Sequence, residues 1–108
     1  MKETLSNLSE IVAKANDLFF ERHKSIDTLM GIMDKTLRKQ GMAADAITVD
    51  CISIDKKIVL LLHDDKPDTV DIALGDKAGA IFSSEQQQLS EMTVESMLAL
   101  MELNFIQH

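Results

Sequence analysis

The sequence predicts an α+β fold with two N-terminal helical segments (or one long helix), a three- to four-stranded, mostly antiparallel sheet, and a C-terminal helix. Three observations carry this expectation. Apolar residues near the N-terminus recur at steps of three and four, those in the middle alternate with polar ones, and the helical steps return near the C-terminus. At 108 residues the chain has the usual size of one domain, and residues 1–108 are expected to form a single one.

The first stripe consists of Leu5, Leu8, Ile11, Val12, Ala15, Leu18 and Phe19, the spacing of one helix face. It resumes at Ile26, Leu29, Met30, Met33 and Leu37, and Gly41 follows Arg38 and Lys39 as a helix stop. Those two cations, beside Lys35, suit a helix C-terminus, where exposed carbonyls favour positive charge. Whether these segments are one helix or two depends on residues 21–25. Leu5, Val12, Phe19, Ile26 and Met33 keep a heptad spacing that would suit a continuous coiled-coil helix, but the companion row places Arg22 in the seam. A hairpin or kink at residues 22–25, with Ser25 as N-cap, is the favoured expectation.

From Ile47 the texture changes. Ile47, Val49 and Cys51 alternate with polar residues, and Ile52 and Ile54 then take the opposite phase, implying a bulge or a strand covered on both faces. A second strand at 58–62 pairs with the first as a hairpin. Residues 63–68, rich in Asp and holding Pro67, read as a turn. Val70, Ile72 and Leu74 alternate with Asp71 and Ala73, as expected of a strand at a sheet edge. Gly75 and Gly79 bracket a loop before a short fourth strand at 80–82. Ser84 and Gln87 have the spacing of a capping box, which predicts a helical turn there. Val94, Met97, Leu98, Met101 and Phe105 form the closing stripe, with Thr93 a candidate cap. Leu100, Leu103 and Ile106 lie partly outside that stripe, which predicts deep burial or cover by another subunit.

Composition narrows the classes of function. Hydrophobic residues at 45% and charged residues at 27% suit a folded protein, and the core has no Trp or Tyr but seven Met. Residues 1–40 carry seven Lys or Arg against six Asp or Glu, whereas residues 41–108 carry four against twelve. An acidic surface repels phosphate backbones, so no nucleic-acid partner is expected. The apolar run 58–62 is far short of the roughly 20 residues of a membrane span, and no membrane partner is expected. A lone Cys51 and the lack of a signal-peptide pattern point to the cytoplasm.

No stretch carries a catalytic or ligand signature that outweighs a structural role. His63, Asp64, Asp65, Asp68, Asp71 and Asp76 form the densest polar cluster, but their spacing lacks the alternating ligands, central Gly and closing Glu of a calcium loop. Cys51 lies in an apolar strand without an activating neighbour. His23, His63 and His108 are linked to no nucleophile, and Gly75 and Gly79 lead into a strand-like stretch without a phosphate-loop Lys. Neither metal nor cofactor is expected. The chain is instead expected to be a non-catalytic protein-interaction or assembly module, homodimeric, using Leu5, Leu8, Val12, Phe19, Met97, Leu100 and Met101 against a second copy or another protein. The alternative is a small-molecule-binding domain or small enzyme with a pocket between sheet and helices, and with His63, Asp64 or Asp65 at its mouth.

Overall fold

The first apolar stripe becomes one helix, α1 (Glu3–Arg22), in a computed structural model that describes residues 2–106. Its Leu5, Leu8, Val12, Ala15 and Phe19 are buried. The helix ends where the His23 N–H donates to the Phe19 carbonyl and the chain turns into extended backbone. There is therefore no 36-residue helix.

The second stripe does not become a helix. Residues 28–33 form strand β1 (Thr28–Met33), and only α2 (Thr36–Lys39), a single turn, is helical after it. β1 pairs along its whole length with β2 (Ala44–Cys51), from Thr28 opposite Cys51 to Met33 opposite Ala46. In that register Met30 and Ile32 stand opposite Val49 and Ile47 on the helix side of the sheet. Apolar residues at two-, three- and four-residue steps serve either geometry. β-branched Thr28 and Ile32 and the helix-weak Gly31 tilt the segment toward a strand once β2 offers its hydrogen-bonding edge. Gly41 keeps the stop expected of it: with φ at +89° it takes a conformation other residues avoid, and its N–H donates to Arg38.

β2 and β3 (Lys56–His63) form the expected antiparallel hairpin, with Ile47 opposite Leu60 and Val49 opposite Ile58. The phase change after Cys51 is no bulge: β2 ends there and Ile52 lies exposed in the turn, while β2 itself is buried on both faces over residues 44–49. β4 (Thr69–Gly75) follows the Asp-rich turn but is not an edge strand, because β5 (Ile81–Gln88) pairs along it. β5 is thus much longer than the 80–82 stretch expected. The sheet has five strands, all antiparallel, in the order β1-β2-β3-β4-β5.

Ser84 and Gln87 sit inside β5, so they cap no helix. The box is formed instead by Thr93 and Ser96, whose side chains each bond the other's backbone N–H, at the start of α3 (Val94–Phe105) after a 3₁₀ turn at Leu89–Glu91. Gly75 is required by a close approach. A Cβ there would lie 2.2 Å from the Ala80 carbonyl oxygen, which crosses over it where the β4–β5 ladder shifts register.

α1 and α3 pack together on one face of the sheet. One hydrophobic cluster joins Leu5, Leu8, Val12 and Phe19 of α1 to Met97, Leu98, Met101 and Phe105 of α3, with Ile47, Val49, Ile58, Leu60, Val70 and Ile72 as its floor. Phe19 meets Phe105 edge-on, with ring centroids 6.0 Å apart. No helix among the described residues is long and apolar enough to cross a membrane.

Candidate interaction surface

The helical layer is narrower than the sheet beneath it. α1 supports β1 and α3 lies toward β3, but the helix side of β5 has no such cover. β5 is exposed at seven of its eight positions, and among the described residues no further strand continues the sheet beyond it. Its outward backbone groups therefore have no sheet partner, the condition that makes an edge strand a template for pairing. At its start, Ile81 and Phe82 are 64% and 63% exposed.

Between β5 and α3 runs a shallow apolar groove. One depression of about 220 Å³ is lined by Ile72, Gln87, Met92, Ser96, Leu100 and Leu103 among others. A second, of about 230 Å³, lies between Leu74, Phe82, Ser83 and Asn104, with Lys56 and Lys57 at its side. Leu103 stands 58% exposed on the α3 wall. The spacing of Ser96, Ala99, Leu100 and Leu103 gives α3 a second apolar flank, beside the one it turns to the core.

The residues expected to meet a partner divide unequally. Leu5, Leu8, Val12, Phe19, Met97 and Met101 are fully buried in the subunit's own core. Leu100 is half-buried and lines the groove. An apolar stripe in a sequence records that something covers it and does not say what. Leu103, Phe82 and Ile81 were not singled out as contacts. Leu103 alone had a visible signal, its place outside the main α3 stripe.

The polar clusters are engaged within the chain. Arg38 donates through Nε and Nη2 to both oxygens of Asp45 at 2.9 Å, and through Nη1 and Nη2 to Asp64 at 2.8 and 2.9 Å. Lys2 Nζ adds a bond to Asp64 at 2.6 Å. Arg38 is therefore no simple helix cap: it neutralises Asp45, whose side chain is only 5% exposed, and fastens α2 to the start of β2 and the end of β3. The Arg38 guanidinium, with Lys2 second, holds the Asp64 carboxyl well below the usual carboxylate range. Hydrogen bonds to Asp64 and then Asp45 push Arg38 above its ordinary value. On the far face of the sheet His63 Nε2 lies 3.1 Å from Asp71. Within the Asp-rich cluster Asp64 thus goes to Arg38, Asp71 to His63, and Asp76 accepts from the Ala80 N–H, and among the described residues no group of three or more His, Cys, Asp or Glu could hold a metal ion.

His23 closes the two helices at one end, its Nε2 2.8 Å from Glu102 and its ring 4.8 Å from Phe19. His108 lies outside the described residues. Cys51 is buried, with its Sγ 3.8 Å from Ser53 Oγ. A cavity of about 480 Å³ lies between α1 and the ends of β4 and β5, over Leu8, Ile11 and Leu89, with Thr4, Asn7, Asp68, Gln88 and Ser90 at its rim. The crevice beside His63 and Asp64 holds only about 140 Å³. Comparison with protein-family models, curated proteins and solved structures finds no match for this chain.

Proposed function

We propose that this chain is a non-catalytic interaction or assembly module that acts as a homodimer, with β5 and the neighbouring flank of α3 as its contact face. The observation that carries this reading is the exposure of β5 on both faces beside an apolar groove, whereas β2, β3 and β4 of the same sheet are largely buried on the helix side. A polar strand with an apolar start and an adjoining Leu-lined groove has the makeup of a subunit contact: apolar anchors within a neutral polar rim. A reducing compartment such as the cytoplasm suits the buried, unpaired Cys51.

Size exclusion with light scattering tests it. Refractive-index detection is needed, because a chain without Trp or Tyr scarcely absorbs at 280 nm. Twice the 12.0 kDa chain mass, stable on dilution through the micromolar range, is expected. A persistent single-chain mass at high concentration overturns the homodimer.

The competing reading, a small-molecule binder or small enzyme, draws on the cavity of about 480 Å³ beneath α1, a volume within the range of ligand pockets. Its rim offers hydrogen-bonding groups and one carboxylate, Asp68, but no paired acid and base. A metabolite that raises the melting temperature, and loses that effect in Asn7→Leu, would move the assignment to this site.

A further inference from the structure

We infer that two copies join edge to edge through β5, in one antiparallel register, to make a continuous ten-stranded sheet. This rests on the homodimer reading and specifies its geometry. Charge selects the occupant. The chain carries a net charge of minus 7, yet residues 81–90 hold a single charged side chain, Glu85. A basic partner would be drawn to the carboxylates elsewhere in residues 41–108. A second acidic copy meets little self-repulsion along this nearly neutral strip.

Symmetry then restricts the register. Two identical strands pair antiparallel only about a two-fold axis perpendicular to the sheet, so one residue must stand opposite its own copy. An axis at Glu85 would set two carboxylates face to face, which is unfavourable. An axis at Ser84 sets Ser84 opposite Ser84, Glu85 opposite Ser83, Phe82 opposite Gln86 and Ile81 opposite Gln87, with no like-charged pair directly opposed.

The same axis keeps both helical layers on one side of the joined sheet. Each α3 then flanks the helix side of the paired β5 strands, where Ser83 and Glu85 are exposed and Gln87 is half-buried within one subunit. Leu100 and Leu103 of the two copies face each other across that trough. The opposite edge, β1, leaves Leu29 and Ile32 exposed but is tied to the helical layer. α1 packs on β1, the Thr28 hydroxyl bonds the Asn16 side chain of α1, and Met30 packs against the core.

Distances between spin labels test the pairing. Labels are placed singly at Ser84→Cys and at Leu29→Cys on β1, with buried Cys51 kept and the unsubstituted chain as the labelling control. Neighbouring strands lie about 4.8 Å apart, so nine spacings separate the two β1 strands by roughly 40 Å, whereas Ser84 labels should fall within roughly 20 Å. A doubled mass with that pair of distances supports edge pairing. A doubled mass with Ser84 labels far apart overturns it and leaves the homodimer standing on another face. A single-chain mass overturns both. As a second variant, Ser84→Lys sets two ammonium groups opposite each other and should weaken dimerisation about tenfold, while Leu29→Lys leaves it unchanged. Equal weakening by both, or none by Ser84→Lys, also overturns the register.

Discussion

β3 and β5 have the same length and belong to the same sheet, but different forces hold them. β3 alternates buried Ile58, Leu60 and Leu62 with half-buried residues and is hydrogen-bonded on both sides. β5 buries no side chain fully and is bonded on one side, to β4. Hydrophobic burial therefore anchors β3, whereas β5 depends on its ladder with β4 and on the turn that delivers it. Strands with few buried contacts open at lower free energy than the core. A segment held this way is free to gain stability from a partner, which is why the proposed contact falls on β5.

The largest expected effect strikes β3. Leu60→Ala removes a fully buried side chain from the cluster floor and should lower unfolding free energy by about 2–5 kcal/mol, read from a denaturant titration. A loss below about 1 kcal/mol would erase the contrast between the strands.

Gly75→Ala comes next. The new Cβ meets the Ala80 carbonyl oxygen, a backbone atom, so the β4–β5 turn must move. A loss of about 1–3 kcal/mol is expected. Hydrogen exchange should locate it: amides of β5 lose protection first, while those of β2 and β3 keep theirs. Uniform loss across the sheet would mean that β5 is integral to the core.

A pH effect belongs to the covered end of the sheet. The folded-state pKa of Asp64 is depressed by Arg38 and Lys2. Its stabilising contribution is therefore present above the unfolded value of about 3.9 and is lost as pH falls from there toward the folded value. Asp64→Asn should remove that part of the acid slope, so its unfolding midpoint lies below the parent's at pH 6 and approaches it as pH falls toward the folded value. Parallel curves would show that the Arg38 contacts carry no pH-linked stability.

The smallest effect is expected at the open face. Phe82→Ser, at a dilution where subunits separate, should shift unfolding free energy by less than about 0.5 kcal/mol. At concentrations where subunits associate, the same substitution should lower the unfolding midpoint, because contact with a second copy stabilises the folded state by mass action.

How far the residues foretold the fold follows from the same contrast. α1, the β2–β3 hairpin, the turn read at 63–68 (His63 in fact ends β3), β4 and α3 could be read because their apolar periodicity or turn composition matches their geometry, and Thr93 stood where the α3 cap was needed. The two edge strands could not. Residues 26–37 satisfy helical spacing and strand spacing together, and the pairing offered by β2 decides between them. Residues 84–88, Ser-Glu-Gln-Gln-Gln, favour helix over strand by local propensity, yet they are extended because β4 presents an open edge. The polar cluster was visible by composition, but its division between Arg38 and His63 depends on side chains distant in the chain.

Sequence alone determined the α+β class, the two helical stripes that make the core, and a chain whose acidic excess lies in residues 41–108, since each is a local or summed property of residues. Tertiary structure alone decided the five-stranded order, the burial of Leu5, Leu8, Val12, Phe19, Met97 and Met101 within one subunit, and the exposure of β5. An apolar pattern specifies that a face will be covered, and only the packing of distant elements specifies which neighbour covers it.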